Sequence, residues 1–179
     1  MKEWKNPIAW SLFIIFLLFV LFTRYYAIDY APPGSDPDTA WIALDAAALV
    51  DRGVIPHYVD PLHSPDPVIV YLIGLAKVFL GATIYTPRVV TATASILAAL
   101  LMIPMMWELL PEQSTRVRIM SGIFAMGAAA TSLQAVNISR LGHDSPVLPV
   151  VVALTIWMTA AAWHRGGWWR WVLAGILLA

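Results

Sequence analysis

The chain has 179 residues, of which 60% are hydrophobic and 12% charged, with zero formal net charge and a mean hydropathy of +0.73. Soluble domains carry about 45–50% apolar and about 25% charged residues, so this chain has too little polar material to cover a water-facing surface. A soluble globular domain, a disordered tail and a nucleic-acid binder with a basic face are excluded. What remains is an integral protein of the lipid bilayer. Cysteine is absent, which removes disulfides, thiolate metal sites and cysteine nucleophiles.

A membrane-crossing helix needs about 20 mostly apolar residues, each rising about 1.5 Å through a core about 30 Å thick. The first candidate runs from Ile8 to Tyr26, with Trp4 and Trp10 at its start and Tyr25, Tyr26 and Tyr30 at its end, the arrangement of an interfacial aromatic belt. Lys2 and Lys5 precede it as in a signal peptide, but Arg24-Tyr25-Tyr26 follows where small residues would mark cleavage, which favours a retained anchor.

A long polar interlude extends from Ala27 to Pro87. Within it Thr39 to Asp51 reads as a short helix, with Asp38 as its N-cap and Gly53 just past its end. Pro56, Pro61, Pro65 and Pro67 then interrupt the chain. Val68 to Leu80, apolar apart from Lys77 and closed by Gly81, is short for a span and fits an interfacial helix. The second span is Arg88 to Leu110, with Pro104 as a kink site. A third follows from Val117 to Val136 and a fourth from Pro146 to Trp163. The fifth begins at Trp168 and is still apolar at Ala179, as expected for the front portion of a longer protein.

The expected fold is therefore all-α and multi-pass, with about five transmembrane helices, the fifth incomplete. Its parts are residues 1–27 as the first transmembrane helix, 28–87 as an extracytoplasmic loop with juxtamembrane helices, and 88–179 as the remaining spans. With a cytoplasmic N-terminus, Lys2, Lys5, Arg116, Arg118, Arg165 and Arg170 all lie inside, and every aspartate lies outside. That is the positive-inside pattern of a multi-pass cell-membrane protein. Small residues at Thr91, Ser95 and Ala99 and at Ser121, Ala125 and Ala129 would let spans two and three approach closely.

Polar groups that could carry chemistry gather on the outer side. In Gly34-Ser35-Asp36-Pro37-Asp38-Thr39, Asp36 and Asp38 could serve as a general base or hold a divalent cation, or Asp38 could simply cap the next helix. His57, Asp60 and His63, with Asp66, are of the type that ligates Zn²⁺ or Mn²⁺, although their proline-broken spacing matches no regular two-ligand helix motif and favours a wet loop with unrelated histidines. Arg88 and Arg140, near His143 and Asp144, could clamp a phosphate with their rigid forks of donors, or snorkel at helix ends. Lys77 has the same two readings. P-loop, GxGxxG, HExxH and nucleophile-elbow motifs are absent.

The order of these features carries a family resemblance. Asp36-Pro37-Asp38-Thr39-Ala40-Trp41 opens a short helix after the first span. Asp51-Arg52-Gly53-Val54-Ile55-Pro56-His57-Tyr58-Val59-Asp60 and His63-Ser64-Pro65-Asp66-Pro67 follow, then Tyr71, Leu80-Gly81, Arg88 and Ser139-Arg140-Leu141-Gly142-His143-Asp144. Over residues 8–179 the chain resembles the N-terminal part of the GT-C glycosyltransferases, of the protein-mannosyltransferase and aminoarabinose-transferase type. The resemblance implies sugar transfer from a polyprenyl-phosphate donor on the outer face of the membrane. It places Asp38 at the family's catalytic acidic motif, with Thr39 where glutamate is common and Asp36 as an alternative base. It also aligns Arg88 and Arg140 with commonly basic positions. Asp66 stands where the family usually has proline, and the lysine of that segment is missing. A divalent metal ion could serve this reading as a cofactor. The second reading is a non-catalytic transmembrane subunit that packs against other membrane subunits. The shortness of the chain, the altered motifs and the small-residue faces motivate it.

Overall fold

The computed structural model describes residues 7–31, 33–34, 37–52, 67–81, 83, 85–143 and 145–178. Every regular element among them is an α-helix: α1 (Pro7–Tyr25), α2 (Pro37–Arg52), α3 (Pro67–Leu80), α4 (Thr86–Leu109), α5 (Thr115–Thr131), α6 (Leu133–Leu141), α7 (Val147–Arg165) and α8 (Trp168–Leu178). Three of these, α1, α4 and α7, are long and apolar enough to cross a membrane, and α5 with α6 makes a fourth if the bent pair is one span. The expected incomplete fifth span corresponds to α8, which starts at Trp168 and has 11 described residues, short of the roughly 20 that a full crossing needs. The protein is a helical membrane protein.

Burial explains why lipid is the solvent. Only 17% of the apolar window of α1 and 22% of that of α7 is covered by the protein, against 39% for α4. Ile8, Ile14, Ile15, Leu18 and Phe22 project from α1 into the surroundings, an exposure that water penalises and acyl chains do not. The covered residues of α1, Ala9, Phe13, Phe16, Val20 and Arg24, recur every three or four positions and so form one stripe. That stripe packs on Ile119, Ile123, Met126 and Ala130 of α5, with Ile96 and Ala99 of α4 behind. Helix α4 is the hub, in contact with α1, α2, α3, α5, α6 and α7. It runs through Pro104 as one helix.

The expected third span, Val117 to Val136, is not one straight helix. It breaks at Ser132, where α5 and α6 meet at a bend of 60°. Ser132 closes one helix and opens the next. Its N–H donates to the Ala128 carbonyl at 3.1 Å, and its hydroxyl accepts from the Ala135 N–H at 3.3 Å. The break frees the carbonyls of Ala129 and Ala130, which lipid cannot satisfy. Arg24, fully buried at the end of α1, supplies the donors. Its Nη1 donates to the Ala130 carbonyl at 2.6 Å, its Nη2 to that of Ala129 at 3.0 Å and its Nε to Ser95 Oγ at 3.3 Å. The packed face of α5 is also one position from the one expected. Gly122, Met126 and Ala130 are buried, while Ser121, Ala125 and Ala129 are half-buried.

Helices α2 and α3 form a pair beside the start of α4. Ile42 and Ala46 of α2 meet Ile69, Val70 and Ile73 of α3, and Ala94 of α4 and Val147 of α7 complete the cluster. The side of α3 turned away from this cluster exposes Tyr71, Leu75, Val78 and Phe79.

Candidate functional site

Asp38 is positioned by the way α2 begins. Pro37 starts the helix, its fixed φ suiting a first turn, so Asp38 lies inside that turn and not before it. A carboxylate there faces the positive end of the helix dipole. The neighbouring Thr39 is 1% exposed and donates its hydroxyl hydrogen to the Leu141 carbonyl at 3.0 Å, which pins the entry of α2 to the end of α6. Gly142 makes that approach possible. It ends α6 in the left-handed region at φ +84°, and a Cβ there would lie 2.8 Å from Thr39 Cγ2 and 3.1 Å from Pro87 Cβ.

The next residue is His143. Its Nε2 lies 3.6 Å from Asp38 Oδ2, and its Nδ1 is 3.1 Å from Ser145 Oγ. An imidazole held between a hydroxyl and a carboxylate can steady that carboxylate and exchange a proton with it. Two turns along α2, on the same side as Asp38, Asp45 is half-buried, and loss of solvent raises its carboxyl above the ordinary value.

Beside this pair lies a groove of ≈ 340 Å³ between α2, α3 and the start of α4. Ala40, Ala43, Ala47 and Ile73 form its apolar walls, and Lys77, Thr83 and Thr86 bring polar groups to it. Lys77 Nζ donates to Asp51 Oδ2 at 2.5 Å, and its side chain is only 13% exposed. The groove is apolar along its length with one ammonium in its lining.

The two arginines expected to clamp phosphate are turned into the fold. Arg140 directs Nη1 at the Thr23 carbonyl (2.9 Å), Nη2 at that of Tyr26 (2.7 Å) and Nε at that of Ala31 (3.2 Å). These carbonyls belong to the last turn of α1 and the loop beyond, where intrahelical partners run out. Arg88 is 1% exposed. Its Nη1 donates to the Ile28 carbonyl at 3.0 Å and its Nη2 to that of Gly34, while its Nε has no partner among the described residues. The physical reason is common to both: a chain leaving a helix at the bilayer boundary needs donors for its carbonyls, and a guanidinium offers several at once. Arg140→Lys is accordingly expected to lower stability by about 1–3 kcal/mol in a detergent unfolding titration, because one ammonium cannot span these carbonyls. Unchanged stability would show that the contacts carry no load.

Asp36, His57, Asp60 and His63, named above as candidate base and metal ligands, lie outside the described residues, as does Asp144. Among the described residues no three His, Asp or Glu side chains gather as a metal site would need. The structure thus brings Asp38, His143, Arg88, Arg140 and Lys77 to one end of the bundle. It separates them by task, with the arginines facing inward and the Asp38–His143 pair toward solvent. Two features escaped sequence reasoning. The Asp38–His143 contact joins distant segments with no shared motif. Arg24 was legible as an arginine closing an apolar run, a position that demands a partner.

These helices and this site define the class, a multi-span α-helical membrane protein with a polar cluster at one end. No family model matches the chain, and no curated protein or solved structure matches it either.

Proposed function

We propose that the chain is a GT-C type membrane glycosyltransferase, or the N-terminal portion of one, that transfers a sugar from a polyprenyl-phosphate donor to an acceptor. The observation that carries this reading is the Asp38–His143 pair, 3.6 Å apart, next to an apolar groove with an ammonium in its lining. Asp38 takes the acceptor's proton as its oxygen attacks the sugar's anomeric carbon. The bond from that carbon to the phosphate oxygen breaks with inversion, and the electron pair leaves with the lipid phosphate. The groove suits an isoprenoid chain, and Lys77 offsets charge on the departing phosphate. The end bearing Asp38 faces outward and the N-terminus inward, because Arg116, Arg118, Arg165 and Arg170 cluster in short connections at the other end.

In the full-length protein reconstituted with lipid-linked donor, Asp38→Asn is expected to slow transfer by about 10²–10⁴-fold with the fold intact. Loss in Asp36→Asn alone would move the base to Asp36. Full activity in both single variants and in the double variant would overturn the assignment. One observation favours a second reading, a non-catalytic transmembrane subunit: Arg88 and Arg140 point their donors at backbone carbonyls. That reading expects co-purification with other membrane subunits and no donor binding.

A further inference from the structure

At the end of the bundle opposite Asp38, α4, α7 and α8 line a half-open cavity of ≈ 440 Å³. We propose that it binds the phosphodiester headgroup of an anionic phospholipid. This inference is independent of the sugar-transfer reading.

The charge in the cavity favours an anion. Arg165 and Arg170 line it, and one carboxylate, Glu108, opposes them. Glu108 is 4% exposed and takes Arg165 in a forked pair, Nε to Oε2 at 3.2 Å and Nη2 to Oε1. The pair holds the guanidinium in place and leaves Nη1 without a hydrogen bond among the described residues. Arg170 donates Nη1 to the Gly166 carbonyl and lies over the Trp169 ring at 4.5 Å. Its Nε and Nη2 have no hydrogen bond among the described residues. Two oriented guanidinium groups with donors to spare suit a phosphate's oxygens.

The walls argue for a lipid over a free phosphate. Ile103, Pro104, Met158 and Ala161 continue the cavity as an apolar surface, which gains nothing from inorganic phosphate and accommodates the start of an acyl chain. Trp157 and Trp169 also line it, and indole rings favour the depth where headgroup meets hydrocarbon. Pockets of a few hundred Å³ are of the size that holds such a group. Basic pockets between transmembrane helices recognise anionic headgroups by this combination of charge and depth.

The test uses the full chain purified in mild detergent, offered equal amounts of phosphatidylglycerol and phosphatidylcholine. Retained lipid is read by native mass spectrometry. One phosphatidylglycerol per chain is expected, preferred over phosphatidylcholine by about tenfold or more. Arg170→Gln should erase that preference, whereas Arg116→Gln, at the same end but outside the cavity, should keep it. Inorganic phosphate should not displace the lipid. Equal retention of the two lipids, an unaffected Arg170→Gln variant, an equal loss in Arg116→Gln, or displacement by inorganic phosphate would each overturn the proposal. Should Arg170→Gln fail to fold, the lipid preference of the unaltered chain and its response to Arg116→Gln decide the matter.

Discussion

Arg24→Leu is expected to destabilise the protein by about 2–6 kcal/mol, the sum of two buried carbonyls left unpaired at about 1–3 kcal/mol each. The carbonyls are those of Ala129 and Ala130, which the break at Ser132 releases and the Arg24 guanidinium takes up. Water would rescue them in a soluble protein. In hydrocarbon no rescue is at hand. The full positive charge is tolerated because it sits at the negative end of the α5 dipole and shares further bonds with Ser95 and Thr23. Arg24→Lys should recover less than half of the loss, since an ammonium on a single stem cannot fork across both carbonyls and Ser95. Unfolding in mixed detergent micelles measures both variants. A loss below about 1 kcal/mol for Arg24→Leu would mean that the bend satisfies itself some other way.

Gly122→Leu should cost a comparable amount, about 2–4 kcal/mol, for a steric reason. A Cβ on Gly122 would lie 2.9 Å from Ile103 Cα and 3.2 Å from Ile103 O. These are backbone atoms that cannot rotate aside, so α4 and α5 would have to separate, and the close approach that stabilises helix pairs in lipid would be lost. Gly175→Ala is the matched control. Nothing lies within 4 Å of a Cβ there, so alanine should leave stability unchanged or raise it by up to about 1 kcal/mol through helix propensity. Equal effects at the two glycines would remove the packing explanation.

Long apolar runs made α1, α4 and α7 legible, since span length follows from bilayer thickness alone. The break at Ser132 was not legible, because a serine in an apolar run serves equally well inside a helix or as a cap. Gln134, near the end of that span, and Asn137, just past it, were the available hints. Asp38 could be found because an acidic turn before a short helix has a local signature. Its contact with His143 could not, because it depends on where α6 delivers Gly142. The partners of the arginines were not legible for a general reason. Sequence marks a cation near a membrane boundary, and only tertiary structure shows which carbonyls need it. Arg24, Arg118 and Arg140 each serve the C-terminal carbonyls of a different helix, α5, α4 and α1 in turn.

The bend at Ser132 also works as a depth gauge. Continued straight, the nine residues of α6 would climb about 13 Å along the α5 axis at 1.5 Å each. Tilted by 60°, they climb about half as far. His143 therefore reaches the level of Asp38 instead of overshooting it by more than a helical turn, so one serine and one distant arginine set the height at which the carboxylate and the imidazole meet.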